Sequence, residues 1–183
     1  RLSQKTLEEL PYRIMKLGRI NTVPLRVSIY NFLAKATSFW STAKFTMEVL
    51  ALILLAIGDE SSEGAVAATK ASIAILHHLM DIEDDTFHAH GAAEDFSDVL
   101  SDNLELIGND DMFVRVRAYD EIATVLIEAN VPGYKEISNV VLSEKSIQVA
   151  EDWFTSSTGS EEDNFVHHSS SVAPYFPHWI ILL

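Results

Sequence analysis

The segment AKFTMEVLALILLAIG, residues 43–58, decides the fold of this chain. After Glu48 it is apolar on every side, which predicts a helix buried in the core rather than one lying at the surface. Its longest apolar run, 49–57, is much shorter than the roughly twenty residues that a membrane-spanning helix needs. We therefore expect a central buried helix that ends at Gly58, and no membrane span.

Helix signals also precede this segment, and no strand alternation or hairpin turn interrupts them. Residues 6–9 have the spacing of a capping box for a first helix, and Pro24 is expected to break the chain. A short segment with Tyr30, Phe32 and Leu33 follows over 28–37, and the dipeptide at 41–42 can cap the buried helix. The N-terminal part of the chain is therefore predicted to be helical.

The downstream half continues the helical pattern. The polar turn DESSEG at 59–64 precedes a helix over 65–81, and 92–108 carries one amphipathic stripe that ends in glycine. The apolar residues of this stripe are Phe96, Val99, Leu100, Leu104 and Ile107. The sequence NDD at 109–111 can cap a further helix, and one or two more are expected over 134–154. We predict an all-α, single-domain protein of seven or eight helices.

Composition divides the chain into three parts. Residues 1–27 form a basic N-terminal extension, and residues 28–155 form the helical domain. Residues 156–183 consist of a polar linker followed by an apolar tail with two prolines.

The charge of the chain is acidic and unevenly distributed. The net charge is −14, yet residues 1–57 carry eight basic and three acidic residues, against five and 24 in 58–183. Binding to nucleic acid requires a basic surface, so we expect no nucleic-acid partner. The basic first third can pair with the acidic remainder or touch an anionic partner. The chain has no cysteine, which excludes disulfides, thiolate metal sites and cysteine nucleophiles.

The stretch AILHHLMDIEDDTFHAHG, residues 74–91, contains four of the seven histidines among a cluster of carboxylates. On a helical wheel of 100° per residue, His77 falls on the side of Ile73 and Met80. We therefore expect His77 to face an apolar environment. His78 falls beside the small residues of the helix, so the pair is expected to split between two directions.

Two interpretations of His77 are open, because an imidazole inside an apolar wall needs hydrogen-bond partners. It can be a core histidine that bonds a carbonyl group or Asp81. Alternatively it is a ligand, direct or through water, for a metal centre carried by an apolar cofactor.

The acidic run at 81–85 has three open interpretations. The first is a magnesium–diphosphate motif, since D-x-x-D-D is similar to the aspartate-rich motif of isoprenoid synthases. That chemistry requires basic residues for the diphosphate, and the segment 58–114 offers only Lys70.

The second interpretation is a carboxylate-bridged di-iron bundle built from Glu48, His77, Asp85 and His88. The Glu-x-x-His spacing that defines such bundles is absent from these positions. The third is a solvated helix end and loop, in which His88 and His90 are exposed loop residues.

Four segments stand in an order that a known family shares. They are IYNFLAKATSFW (29–40), a glycine with an acidic turn, an alanine-rich helix and HH (57–78), AYDEIATVLIEANVPGYKEI (118–137), and VAEDWF (149–154). Together they resemble the Tyr-x-Phe…Lys…Trp, Ala-His-His, Tyr-Asp…Val-Pro-x-Tyr and aromatic segments of the peridinin–chlorophyll a proteins. Those are soluble light-harvesting proteins of dinoflagellates, and the resemblance covers roughly one of their two halves, as in the short forms of the family.

The resemblance implies an all-α half-boat around an apolar cavity that is filled by chlorophyll a and peridinin. Residues 28–155 would then be the pigment-binding domain. The first histidine of the pair, His77, would reach the chlorophyll magnesium through a water, with His78 as the second choice. No residue is expected to bind a metal directly.

We therefore expect a non-enzymatic light-harvesting protein of the chloroplast thylakoid lumen that passes excitation energy to a photosystem. A second hypothesis is a structural or interaction subunit docked on a membrane complex through an exposed apolar tail. The tail residues are Trp179, Ile180, Ile181, Leu182 and Leu183. A third is an all-α metal-dependent enzyme that uses the cluster at 81–85. Self-association into a homo-oligomer is left open.

Overall fold

The computed structural model describes residues 22–40, 42–82 and 90–128, with side chains as far as Val125, and also Ser3, Lys5, Thr6, Glu9 and Arg13. Its α-helices are α1 (Val23–Ala36), α2 (Ala43–Leu55), α3 (Ser62–Asp81), α4 (His90–Asp102), α5 (Leu104–Ile107) and α6 (Met112–Glu128). Short 3-10 helices, Thr37–Phe39 and Ala56–Gly58, extend α1 and α2. None of these residues lies in a β-strand, so the all-α class is confirmed for this part of the chain. The total of seven or eight helices and the pigment cavity stay predictions.

The helical segment that precedes α1 in the chain begins earlier than the sequence predicts. The Oγ of Ser3 accepts a hydrogen bond from the backbone N–H of Thr6 at 3.2 Å, and Thr6 is already helical. Ser3 rather than Thr6 therefore occupies the capping position. Further along, Glu9 and Arg13 are helical and pair at 2.7 Å, one turn apart.

The sequence predicts that Pro24 breaks the chain, but Pro24 instead lies in the first turn of α1. Proline is tolerated there because the first N–H groups of a helix have no intrahelical partner. The helix consequently runs across the predicted boundary between residues 27 and 28. Its core-facing side chains are Ile29, Tyr30 and Leu33.

Helix α2 is buried on all sides, as its sequence predicts. Ten of its 13 residues are buried, and residues 49–54 each expose 1% or less of their surface. Thr42 is the N-cap residue, but its side chain bonds no N–H group. Its carbonyl instead accepts from the N–H and the hydroxyl of Thr46, at 3.1 and 3.0 Å. None of the helices in the described ranges is long and apolar enough to cross a membrane.

Helix α3 lies at the centre of the described helices, since it packs against α1, α2, α4 and α5. Much of its buried face consists of small residues, including Ala65, Ala68 and Ala71. Short side chains let neighbouring helix axes approach closely. Ser61 caps the helix by accepting a hydrogen bond from the backbone N–H of Gly64 at 3.0 Å, so α3 starts before the predicted residue 65.

The amphipathic stripe predicted for 92–108 is present, but it is divided between two helices. Phe96 and Ile107 are fully buried, while the helix is interrupted at Asn103. The Nδ2 of Asn103 donates to the carbonyl of Val99 at 3.0 Å. Such competition with the backbone is the reason that asparagine disfavours helix interiors.

The prediction that His90 lies in a loop is wrong, because α4 begins there.

The turn between α2 and α3, residues 56–61, requires a glycine in the helix that follows it. We call it the Asp59 turn. A Cβ atom on Gly64 would lie 2.5 Å from Cγ of Asp59 and 2.6 and 2.7 Å from its two carboxylate oxygens. The carboxylate has little freedom to retreat, because both oxygens accept hydrogen bonds. The absence of a side chain at Gly64 is therefore a packing requirement.

We expect Gly64→Ala to destabilise the protein by about 1–3 kcal/mol, since the added methyl group overpacks the carboxylate. This loss should exceed the gain of about 1 kcal/mol that alanine gives over glycine in a helix. Urea denaturation followed by circular dichroism measures the free energy of unfolding of both proteins.

Gly91→Ala is the matched control, since a Cβ there meets no atom within 4 Å. It lies in the first turn of α4 and should be neutral or stabilising. If both alanine variants change stability alike, the close approach of the Asp59 carboxylate to α3 carries no energetic weight.

Candidate functional site

The Asp59 carboxylate joins α1 to the start of α3. Arg26 donates to it twice, from Nε to Oδ2 at 2.7 Å and from Nη2 to Oδ1 at 2.9 Å. The Tyr30 hydroxyl donates to Oδ2 at 3.0 Å, and Ser61 donates both its N–H and its hydroxyl to Oδ1, each at 3.0 Å. These donors occupy the lone pairs of one carboxylate. Asp59 therefore acts as a structural acceptor, with no lone pair left for a metal ion or a substrate proton.

Arg115 and Tyr119, one turn apart on α6, bind the backbone of the same turn. Arg115 is 2% exposed; its Nη1 donates to the carbonyl of Glu60 at 3.0 Å and its Nη2 to the carbonyl of Asp59. The Tyr119 hydroxyl donates to the carbonyl of Ile57 at 2.9 Å and accepts from the Arg115 Nε and Nη2 at 3.2 and 3.0 Å. These carbonyls follow the C-terminal end of α2, where the helix dipole favours a cation.

The electrostatics of the Asp59 turn favour an ion pair and neutral phenols. Burial, together with the charge of Asp59 and the hydrogen bond to it, raises the pKa of Tyr30 far above its ordinary value. Burial also raises the pKa of Tyr119, although Arg115 opposes the rise. Burial alone would lower the pKa of Arg26, but the hydrogen bond and charge of Asp59 outweigh it and the pKa rises.

The sequence interpretation did not identify this network. One sequence signal was available, because Arg115, Tyr119 and Ile122 are spaced i, i+4 and i+7 and so share one helix face. In the structure all three residues are buried. An arginine inside an apolar stripe must find polar partners, since it is almost never fully buried otherwise. The pairing of Arg26 with Asp59 left no such signal, because the two residues are 33 positions apart.

The two predicted histidines point to different neighbours of α3, as the sequence predicts. His77 is exposed, and its Nε2 lies 3.0 Å from the Oγ of Ser97 on α4. On the same side of the helix, Ile73 and Met80 are partly buried at the edge of the core. The prediction that His77 faces an apolar interior is wrong, because the apolar side of α3 that carries it is only partly covered.

The helical wheel selected the wrong face of α3 because it gave most weight to the large side chains. Ile73 and Met80 are partly exposed, whereas the alanine-rich side of the helix is buried. Small residues allow neighbouring helices to approach, and close approach is what removes a helix face from water.

His78 is half-buried, and its Nε2 lies 3.1 Å from the backbone oxygen of Trp40. A carbonyl oxygen only accepts hydrogen bonds, so Nε2 carries a proton and is the donor in this contact. The interpretation of a histidine satisfied by a carbonyl group therefore applies to His78 rather than to His77.

The acidic cluster is described only at its first residues. Asp81 ends α3 and is exposed, while residues 83–89, which include Asp84, Asp85 and His88, lie outside the described residues. In the part of the chain that the structure describes, no group of three or more histidine, aspartate and glutamate side chains could hold a metal ion. The tail residues 179–183 also lie outside that part.

Comparison with known proteins gives no relative: no family model, no curated protein and no solved structure matches the chain. The resemblance to the peridinin–chlorophyll a proteins therefore rests on the four quoted segments alone.

The raised tyrosine pKa values predict that the protein loses stability as the pH rises above about 10. Below that pH both states hold the phenolic protons and the full stability is present. Above it the unfolded chain releases protons that folded Tyr30 and Tyr119 retain. Each such proton lowers the free energy of unfolding by about 1.4 kcal/mol per pH unit.

Urea denaturation between about pH 9 and about pH 11 measures this slope. In Tyr30→Phe the decline should be shallower by roughly one proton, because the phenol that donates to Asp59 is gone. Every other titratable residue is the same in both proteins, so the difference isolates Tyr30. Identical slopes would show that folded Tyr30 ionises as an ordinary surface tyrosine does.

Proposed function

We propose that the chain is a non-enzymatic pigment-binding protein of the peridinin–chlorophyll type, which holds chlorophyll a and peridinin in the thylakoid lumen of the chloroplast. It would pass excitation energy to a photosystem. The order of the resembling segments supports this proposal. Two of them, 29–40 and 57–78, lie in α1, in α3 and in the 3-10 helices and turns on either side of α2.

The observation that carries the proposal is the setting of His77. Its imidazole is exposed, one ring nitrogen is held by Ser97 at 3.0 Å, and Ile73 and Met80 lie partly exposed on the same side of α3. A histidine oriented by a second side chain, beside apolar surface, is the arrangement that suits the magnesium of an apolar pigment and its bound water.

The donor set at His77 fits a pigment better than a bare metal ion. One imidazole and one hydroxyl are too few for a structural zinc or a calcium site, which takes four or more protein ligands. Chlorophyll would bring the other ligands of its magnesium, so His77, through a bound water, would be the protein side chain that holds it. The bound pigments would supply light absorption and energy transfer, while the helices supply spacing and exclude water.

His78 is the second choice for the same role. Its Nε2 is committed as a donor to the Trp40 carbonyl, which leaves only Nδ1 as an acceptor or ligand. His78 is also less exposed than His77. Both points favour His77 as the residue that holds the water.

A structural or interaction subunit is the second candidate function. Two exposed aromatic side chains favour it, since Phe39 is 78% and Phe113 is 85% exposed. The proposed contact of the tail at 179–183 with a photosystem belongs to this function as well. For the third candidate, a metal-dependent enzyme using 81–85, the described residues offer no supporting observation.

The absorption spectrum of the native protein tests the proposed function. A pigment protein of this type absorbs in the blue-green and in the red band of chlorophyll, whereas a structural subunit or an enzyme of the third kind purifies without these bands. Native protein that lacks both bands would refute the proposal.

His77→Leu, reconstituted with chlorophyll a and peridinin beside the unaltered chain, tests the assignment of the site. The red band should shift or weaken, because the magnesium loses its water partner, and Ser97→Ala should cause a smaller shift in the same direction. His78→Leu is the matched control. If the spectrum is unchanged in His77→Leu but changed in His78→Leu, the residue that holds the water of the magnesium is His78. Circular dichroism verifies that each variant folds.

A further inference from the structure

Large apolar side chains are exposed at only two places in the described part of the chain. Leu25 (41%), Phe32 (48%) and Phe39 (78%) belong to α1 and the 3-10 helix that follows it, and Phe113 (85%) lies at the start of α6. Single exposed apolar residues are common on proteins, but a group of them marks an interaction surface.

The first group forms an apolar and basic surface, which we call the α1 patch (Leu25, Phe32, Lys35 and Phe39). Leu25 and Phe32 are seven positions apart and so share one face of α1, and the exposed Lys35 follows Phe32 by one turn. Among the exposed residues that the structure describes between 22 and 47, Lys35 and Lys44 are basic and none is acidic. This patch therefore suits a partner surface that is both apolar and acidic.

The second place is an apolar and acidic surface, which we call the Phe113 patch (Asp110, Asp111, Phe113 and Asp120). The two aspartates directly precede the α6 helix, and Asp120 is seven positions after Phe113 on the same face. All nine carboxylates between residues 94 and 121 are exposed, against one exposed basic residue, Arg117. Phe113 thus stands in a strongly acidic setting.

We propose that the α1 patch of one copy of the chain binds the Phe113 patch of a second copy. Each molecule carries both patches. Each patch contains an exposed phenylalanine, and the charges of the two patches are opposite. Both patches are exposed within a single chain, so they do not cover each other. Contact between two different patches is heterologous and joins copies head to tail, into a ring or an open chain.

The acidic net charge of −14 opposes association of copies at long range. At physiological ionic strength this repulsion is screened beyond about 8 Å, whereas charges in direct contact across the patches are screened much less. The local pairing of Lys35 with the aspartates around Phe113 therefore decides the interaction. This inference goes beyond the proposed function and does not depend on pigment.

Sedimentation velocity at physiological salt, from about 1 μM to about 1 mM protein, tests the proposal. The unaltered chain should form larger species as its concentration rises. Variant A combines Lys35→Glu with Phe39→Asp, and variant B combines Phe113→Ser with Asp120→Ser, so the two altered patches do not attract each other. Each variant alone should self-associate at least about tenfold more weakly than the unaltered chain.

An equimolar mixture of the two variants should form a dimer that grows no further. Variant A keeps its Phe113 patch and variant B keeps its α1 patch, so one contact of the original kind is left between them. Lys70→Glu, an exposed charge reversal on α3 outside both patches, should associate as the unaltered chain does.

Three outcomes would overturn the proposal. A chain that is monomeric at every concentration would leave the patches to a different partner. Self-association of variant A or variant B at the original strength would place the contact elsewhere. A monomeric mixture of folded variants, verified by circular dichroism, would exclude a head-to-tail contact.

Discussion

The buried ion pair between Arg26 and Asp59 is the interaction on which the packing of the described helices depends. Only 11% of the arginine and 3% of the aspartate side chain is exposed. Removing two charges from water is costly, and the cost is offset only when good geometry and further hydrogen bonds accompany the pair. Tyr30 and Ser61 supply those bonds on the side-chain face of the turn. Arg115 binds the backbone carbonyls of the same turn, so α1, α3 and α6 converge on six residues of chain.

The Asp59 turn also places the candidate site. Ser61 caps α3, and Gly64 lets the carboxylate lie against its first turn, so the start of the helix is held in one orientation. The alanine-rich face is then buried among the neighbouring helices, which leaves His77 at the exposed edge of the contact with α4. An imidazole beside uncovered apolar surface is the feature on which the pigment proposal rests, and it follows from how α3 is held.

Much of the fold could be predicted from local sequence patterns. The burial of α2 followed from its all-round apolar composition, and the cap of α6 from NDD, where Asp111 accepts from the N–H of Phe113 at 2.9 Å. The rotation of α3 could not be predicted in this way, because hydropathy ranks large side chains first while close packing favours small ones. The Arg26–Asp59 pair could not be predicted either, since no local pattern at either residue indicates a partner 33 positions away.

The free energy of unfolding of Asp59→Ala, measured by urea denaturation beside Glu60→Gln, tests the central role of the Asp59 turn most directly. Glu60 lies next to Asp59 and contacts the same arginine at 3.3 Å, but its side chain is 64% exposed. We expect Asp59→Ala to lose about 3–5 kcal/mol or to fail to fold, because Arg26 is left as a buried charge without its carboxylate. Glu60→Gln should change the free energy of unfolding by less than about 1 kcal/mol. A loss in Asp59→Ala as small as that of Glu60→Gln would contradict the account.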